Sequence, residues 1–361
     1  MIKPNAQARA RDLGLPFLGT PGPLNAITDV AGVTVGFTTL TDPKLNMRTG
    51  VTAIRPRDDK GMPVPVWAGH YALNGNGEMT GTHWIDDAGY MIGPVCITNT
   101  HGVGAVHHGV TRWMIEHYAA FFAQDHGWAM PVVAETYDGV LNAINALHVT
   151  PDHAVAALWA AKGGPLAEGS VGGGNGMIAY QFKAGTGTSS RVCEIGGESY
   201  TMGCLVQANH GLRHDFQVLG KPVGALMPEG VFDRGLPQKE MGSIIVVLIT
   251  DAPLSGLSLK QVAKRAALGI GRGGTPGGNS SGDIFLALSV ANPVPMPQRA
   301  GAVLTKTEIN GEAIDPLYLA AVQAVEEAVV NAIVAGEDVA TFKPKGHIVP
   351  AIDTARLAAL F

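Results

Sequence analysis

Short apolar runs bounded by Gly, Pro and Asn recur along the chain, at residues 64–67, 94–97, 131–134, 200–206, 244–249 and 284–290. Runs of this length and composition predict buried strands. Between them, apolar positions recur at helical spacing over 105–124, 152–162, 258–268 and 315–335. The last of these predicts a helix with Asp315 as N-cap, Pro316 at the first helical position and Gly336 at its end. One side of it is nearly all apolar and Glu326 and Glu327 are expected on the other, so it should pack on a sheet. Strands and helices alternate only loosely, and the strands crowd between residues 200 and 290. That disfavours a doubly wound parallel sheet and favours a mixed or antiparallel sheet with helices outside it. No repeat, low-complexity tract or linker divides the chain, so one compact domain over residues 1–361 is expected.

Composition sharpens the functional class by exclusion. With 46% hydrophobic and 15% charged residues, much of the surface must be internal or covered by partner subunits. A net charge of −5 without a Lys/Arg cluster argues against a nucleic-acid or anionic-membrane partner and for a small one. Cys96, Cys193 and Cys204 cannot all pair and form no CxxC, as expected in a reducing compartment. The charged, proline-containing start lacks a secretory signal and no stretch reads as a membrane span, so a cytoplasmic location is expected. Twelve histidines invite a metal, yet there is no HExxH, and His107, His108 and His117 do not share a helical face at i, i+4. No metal site is expected. The 48 glycines, about twice the average share of about 7%, point to many sharp turns around a crowded site.

Two segments carry candidate chemistry. In the first, Gly242-Ser243 runs directly into the apolar strand 244–249. A hydroxyl residue opening a strand after glycine is what an N-terminal nucleophile requires. The peptide bond before it can be approached by the hydroxyl, and cleavage would free an α-amine, of pKa about 7.7–8, beside that hydroxyl as its base. The same residues also fit an ordinary turn entering a core strand. In the second, GRGGTPGGNSSGD, the residues 278–282 match GxSxG. A nucleophile elbow needs a strand before its serine and a helix after it, whereas a glycine-rich loop precedes this one and a strand follows. The loop also lacks the Lys-Ser/Thr ending of a phosphate-binding loop. What remains is that Ser281 and Asp283 project to one side at a strand entrance, where they could form a hydroxyl–carboxylate relay or simply cap a turn. Asn99 and Asn209 each end an expected strand and could donate to an oxyanion, or serve as turn residues. A Ser-His-Asp triad remains open, because its members need not be close in sequence.

Together these blocks resemble the self-processing serine aminopeptidases that include the L-aminopeptidase D-Ala-esterase/amidases and the β-aminopeptidases. The resemblance is carried by LNAITDVAGVTVGFTTL, LNGNGEMTG, ITNTHGVG, AETYDGVLNAIN, GNGMIAYQFKAGTGTSSR, QANHG, GSIIVVLITDAPL and NSSGDIFLALS, spread over nearly the whole chain. It implies a four-layer α/β/β/α sandwich like that of N-terminal nucleophile hydrolases but with different connectivity. It also implies self-cleavage between Gly242 and Ser243 into pieces 1–242 and 243–361 that stay associated, and homo-oligomers of such pairs. By position, Ser243 matches the nucleophile, Ser281 and Asp283 the groups that assist it, and Asn209 the oxyanion donor. Glu135 and Tyr137 match pocket residues near the substrate's amino group and reacting carbonyl. Some members of the family have Glu where this chain has Asp283. The implied substrates are short peptides, amides or esters, hydrolysed through an acyl-enzyme without a cofactor. An acyltransferase of the ornithine acetyltransferase type is the alternative, although those resemble a chain with Thr at the junction. L-amino-acid amides, D-Ala derivatives and β-peptides remain equally open.

Overall fold

The computed structural model describes residues 8–231 and 239–361. Two mixed sheets dominate it. The first has the order β1 (Thr34–Asp42), β2 (Met47–Arg55), β5 (Val95–Asn99), β6 (Val132–Thr136). The second has the order β4 (Tyr90–Met91), β3 (Val66–Ala72), β12 (Gly282–Ser289), β11 (Ser243–Thr250), β10 (Glu198–Asn209), β9 (Thr186–Ile195). All neighbours are antiparallel except β5/β6 and β11/β12, which run parallel. Two short ribbons, β7 (Ile178–Ala179) with β8 (Phe182–Lys183) and β13 (Val339–Ala340) with β14 (Ile348–Val349), complete the strands among the described residues.

The apolar positions explain the stacking. Along β11, Ile245, Val247 and Ile249 face Val95, Ile97, Val132 and Ala134 of the first sheet. Ile244, Val246 and Leu248 face the other way, onto the long helices α6 (Gly256–Arg272) and α7 (Asp315–Val334). A strand buried on both faces reads as an unbroken apolar run, which is why this one was legible. The first sheet turns Val51, Ala53, Cys96 and Val133 to α2 (Val103–His117) and α4 (Pro151–Trp159). Three apolar layers therefore separate helices, sheet, sheet and helices, as the expected α/β/β/α sandwich requires. Helix α7 approaches β9 closely because Gly187 has no side chain; a Cβ there would overlap the Ala328 carbonyl oxygen. Helices α1 (Thr82–Ala88), α3 (Ala119–Gln124), α5 (Val223–Leu226) and α8 (Thr354–Ala358) are short.

Several local expectations are corrected. The helix expected over 105–124 is broken at Tyr118, whose hydroxyl is tied to Asp59 at 2.6 Å and whose backbone leaves helical geometry. Asp315 is the first residue of α7, not its cap; Ile314 holds the cap position and makes no side-chain bond there. Glu326 and Glu327 do not mark a solvent side. Glu327 is completely buried and accepts from Arg191 Nη2 at 2.6 Å and Arg11 Nε at 3.0 Å. Helix α7 is thus enclosed nearly all round, although its length and hydropathy alone would suit a membrane span.

Candidate active site

Ser243, Asn209 and Gly282 lie in one register row across three adjacent strands, Asn209 opposite Ser243 on β10 and Gly282 beside it on β12. Ser243 is 3% exposed, and its Oγ is buried without a hydrogen-bond partner. A buried hydroxyl with nothing to bond is unfavourable unless the site uses it. Gly242 can hold no larger residue, since a Cβ would overlap the Asn209 carbonyl oxygen and lie 2.7 Å from His210 Cα. Its own carbonyl accepts the Gly282 N–H at 3.0 Å. The Gly242 carbonyl is therefore already polarised by a backbone donor.

The side chain of Asn209 points with that of Ser243 toward the first sheet. Its Oδ1 accepts the Ile178 N–H at 2.9 Å, and its Nδ2 donates to the Tyr137 carbonyl at 3.0 Å. An amide nitrogen carries two hydrogens, so one remains for an oxyanion. Ser281 Oγ donates to Asp283 Oδ1 at 2.7 Å, and both residues are completely buried. Asp283 has the strand parity of Phe285 and Ala287, which face the helices, so it projects from the opposite side of the sheet to Ser243. The pair therefore does not bond Ser243 Oγ. It flanks Gly282, whose N–H holds the Gly242 carbonyl. Burial pushes the Asp283 carboxyl up to about 6, with the Ser281 bond pulling the other way and the charge of Glu240 adding to the rise.

The loop read as LNGNGEMTG lies over this row. Asn74 Nδ2 donates to Asp283 Oδ2 at 3.0 Å and Asn76 Nδ2 to the Ser280 carbonyl at 2.7 Å. Gly77 sits between Glu135 and Gly282, since a Cβ on it would lie 3.3 Å from Glu135 Oε1 and 3.4 Å from Gly282 Cα. Glu135, near the end of β6, is 3% exposed; its Oε1 accepts the Glu78 N–H at 3.1 Å and its Oε2 the Thr100 hydroxyl. Burial raises its pKa, and the charges of Glu78 and Asp138 add to the rise. Tyr137 presents a half-exposed ring, 42% accessible. Asn99 has another task, donating to Thr49 Oγ1 and Asp138 Oδ2 inside the first sheet. His210 carries two unpartnered buried ring nitrogens; burial lowers its pKa, and the charge of Glu240 pulls the other way. The sequence reading gave no role to His210, Asn74, Asn76 or Glu240, because a lone polar residue in a loop carries no periodic signal. No cluster of three or more His, Cys, Asp or Glu suited to a metal occurs among the described residues.

A serine opening a central strand of a four-layer sandwich is the architecture of serine-type hydrolases built on the N-terminal nucleophile fold, and the molecule is of that class. The profile of peptidase family S58 matches residues 25–347. The structure of an L-aminopeptidase D-Ala-esterase/amidase from Ochrobactrum anthropi superposes with a TM-score of 0.93 at 54% identity, over 98% of both chains. A Burkholderia sp. β-aminopeptidase superposes with a TM-score of 0.86 at 44% identity, over 97% of both. The β-peptidyl aminopeptidase BapA of Sphingosinicella microcystinivorans is 47% identical over 348 residues, 91% of this chain and 86% of its own. The chain belongs to peptidase family S58.

Proposed function

We propose that the protein is a serine aminopeptidase that matures by cutting its own Gly242–Ser243 bond and then removes amino-terminal residues from short peptides, amides or esters. The observation that carries this reading is the buried, unpartnered Ser243 hydroxyl beside a glycine carbonyl already held by a backbone N–H. In the mature enzyme the freed α-amine of Ser243 takes the proton of its own hydroxyl, which attacks the substrate carbonyl to give an acyl-enzyme. The free hydrogen of Asn209 Nδ2 stabilises the oxyanion. Water then hydrolyses the ester. Ser281 and Asp283 assist by fixing the backbone around Gly282. Glu135 receives the substrate's ammonium, a role for which its burial and the adjoining Gly77 speak, and the exposed ring of Tyr137 borders the acyl residue. The relatives' names support the aminopeptidase reading, and nothing in the comparisons favours the acyltransferase alternative. Homo-oligomer formation belongs to the same proposal, supported by Leu257, Leu268 and Leu319, each at least 50% exposed on α6 and α7.

The test is direct. Purified wild type should run as two fragments, the smaller beginning Ser243-Ile244-Ile245, and should hydrolyse amino-acid p-nitroanilides. Ser243→Ala should stay whole and inactive. Full activity in a chain that amino-terminal sequencing finds uncut would overturn the mechanism.

A further inference from the structure

Two residues before the junction, Glu240 is 7% exposed and accepts hydrogen bonds from three directions. Its Oε1 takes the Gly211 N–H at 2.8 Å and Thr275 Oγ1 at 2.9 Å. Its Oε2 takes Thr275 Oγ1 at 2.8 Å and the Gly278 N–H at 3.1 Å. Gly211 follows Asn209 at the end of β10, and Thr275 and Gly278 belong to the loop that leads into β12. One carboxylate thus ties the chain entering β11 to both strands that flank it. The tie continues toward the reacting bond, because the Gly278 carbonyl accepts the Ser281 N–H at 2.8 Å and Ser281 precedes Gly282. Among the described residues no Lys or Arg is paired with Glu240. The donors come from segments on either side of β11, so the bonds of this one buried side chain fix the chain before Ser243 against both flanking loops.

We infer that Glu240 is a positioning residue for self-cleavage, clamping the segment before Ser243 so that the Gly242 carbonyl stays on the Gly282 N–H while the serine attacks. The inference rests on the self-cleavage reading above. In that step Ser243 Oγ adds to the Gly242 carbonyl carbon, the bond to the Ser243 nitrogen breaks, and the hydroxyl proton ends on that nitrogen. The product is an ester with a free amine; water then cleaves the ester, leaving a Gly242 carboxylate and restoring the hydroxyl. Glu240 exchanges no proton in this scheme. It acts on the first step alone, through geometry.

The experiment follows newly synthesised full-length chains of wild type, Glu240→Ala, Glu240→Gln and Thr275→Val by pulse-chase on denaturing gels, with and without hydroxylamine. Glu240→Ala should slow cleavage by about tenfold or more, the effect of losing one hydrogen bond to a charged group. Glu240→Gln, which keeps one acceptor oxygen, should fall between, and Thr275→Val should slow cleavage severalfold. Hydroxylamine attacks an accumulated ester, so it should not restore the slow variants, whose ester does not form. Cleavage of Glu240→Ala at the wild-type rate, or its rescue by hydroxylamine, overturns the clamp. Should Glu240→Ala lack a cooperative melt, Thr275→Val decides, and wild-type cleavage in that variant overturns the clamp. A wild-type chain that stays whole overturns the self-cleavage reading and the clamp with it.

Discussion

Replacing Glu135 with glutamine removes a charge while keeping the size of the side chain, and so isolates what the carboxylate does for a substrate with a free amine. Its oxygens accept the Glu78 N–H and the Thr100 hydroxyl, and burial with two neighbouring acids raises its pKa. An arriving ammonium opposes that rise and holds the carboxylate ionised. Breaking a buried pair of this kind costs about 3–5 kcal/mol, whereas an exposed pair is worth about 0–1. At about 1.4 kcal/mol per tenfold, the buried case predicts a loss in kcat/KM of roughly a hundredfold to a few thousandfold. The exposed case predicts about fivefold at most. Because Glu135 is 3% exposed, we expect the larger loss. It should fall on KM if the ammonium is bound equally in ground and transition states. The glutamine amide can keep its oxygen on the Glu78 N–H and donate its NH2 to the Thr100 hydroxyl, which also accepts, and thermal melts alongside the kinetics check that the variant is folded. The assay compares p-nitroanilides bearing a free or an acetylated amine, with wild type and Glu135→Gln. A folded variant that loses less than fivefold, or a wild type that cleaves the acetylated substrate as fast as the free one, would refute the reasoning.

Three further outcomes are expected. The Asp283 carboxyl is raised to about 6 from 3.8, so its stabilising contribution is fully present below about pH 4 and is lost as pH rises through about 6. Asp283→Asn should remove a pH-dependent difference on the order of 3 kcal/mol, and an unchanged slope of stability against pH between 4 and 7 would contradict the assignment. Gly242→Ala puts a Cβ into the Asn209 carbonyl and should leave most of the chain uncut on a denaturing gel; wild-type cleavage would show that the junction has room to spare. Glu327→Gln leaves Arg191, whose side chain is 1% exposed, without its anion. It should cost about 3–5 kcal/mol in urea denaturation, and a loss below 1 kcal/mol would mean that water or another group reaches the guanidinium.

The parts of the fold that could be read in advance are those where burial writes a simple pattern. Strands β11 and β12 are enclosed on both faces and stand out as unbroken apolar runs, and the Gly242-Ser243 junction is visible because one run starts there. Strands β1 and β2 were missed because TVGFTTLTD and MRTGVTAIR are threonine-rich, and their β-branched side chains suit a sheet without looking apolar. Strand β9 was missed for a different reason. Its Thr188, Ser189, Ser190 and Arg191 are buried with partners distant in sequence, among them the Cys204 and Ala324 carbonyls, Asp29 and Glu327. The same holds at the site. Ser281 bonding Asp283 is a contact two residues apart, whereas the Glu240 bonds to Gly211 and Gly278 span 29 and 38 residues and leave no trace in local pattern.

The strand order of the second sheet has a consequence for the life of the molecule. Strands β12 and β11 sit side by side with β3 on one flank and β10 on the other, so a cut at Gly242 would wedge the central pair of one polypeptide between strands of another. Neither piece could leave without tearing two ladders of backbone bonds and exposing raw edges. Before the cut, refolding would be a first-order event within one molecule; afterwards it would need an encounter between two, and its success would depend on concentration. Maturation would therefore act as a ratchet, in which the protein folds once as a single thread and its persistence then rests on the height of the barrier to unfolding.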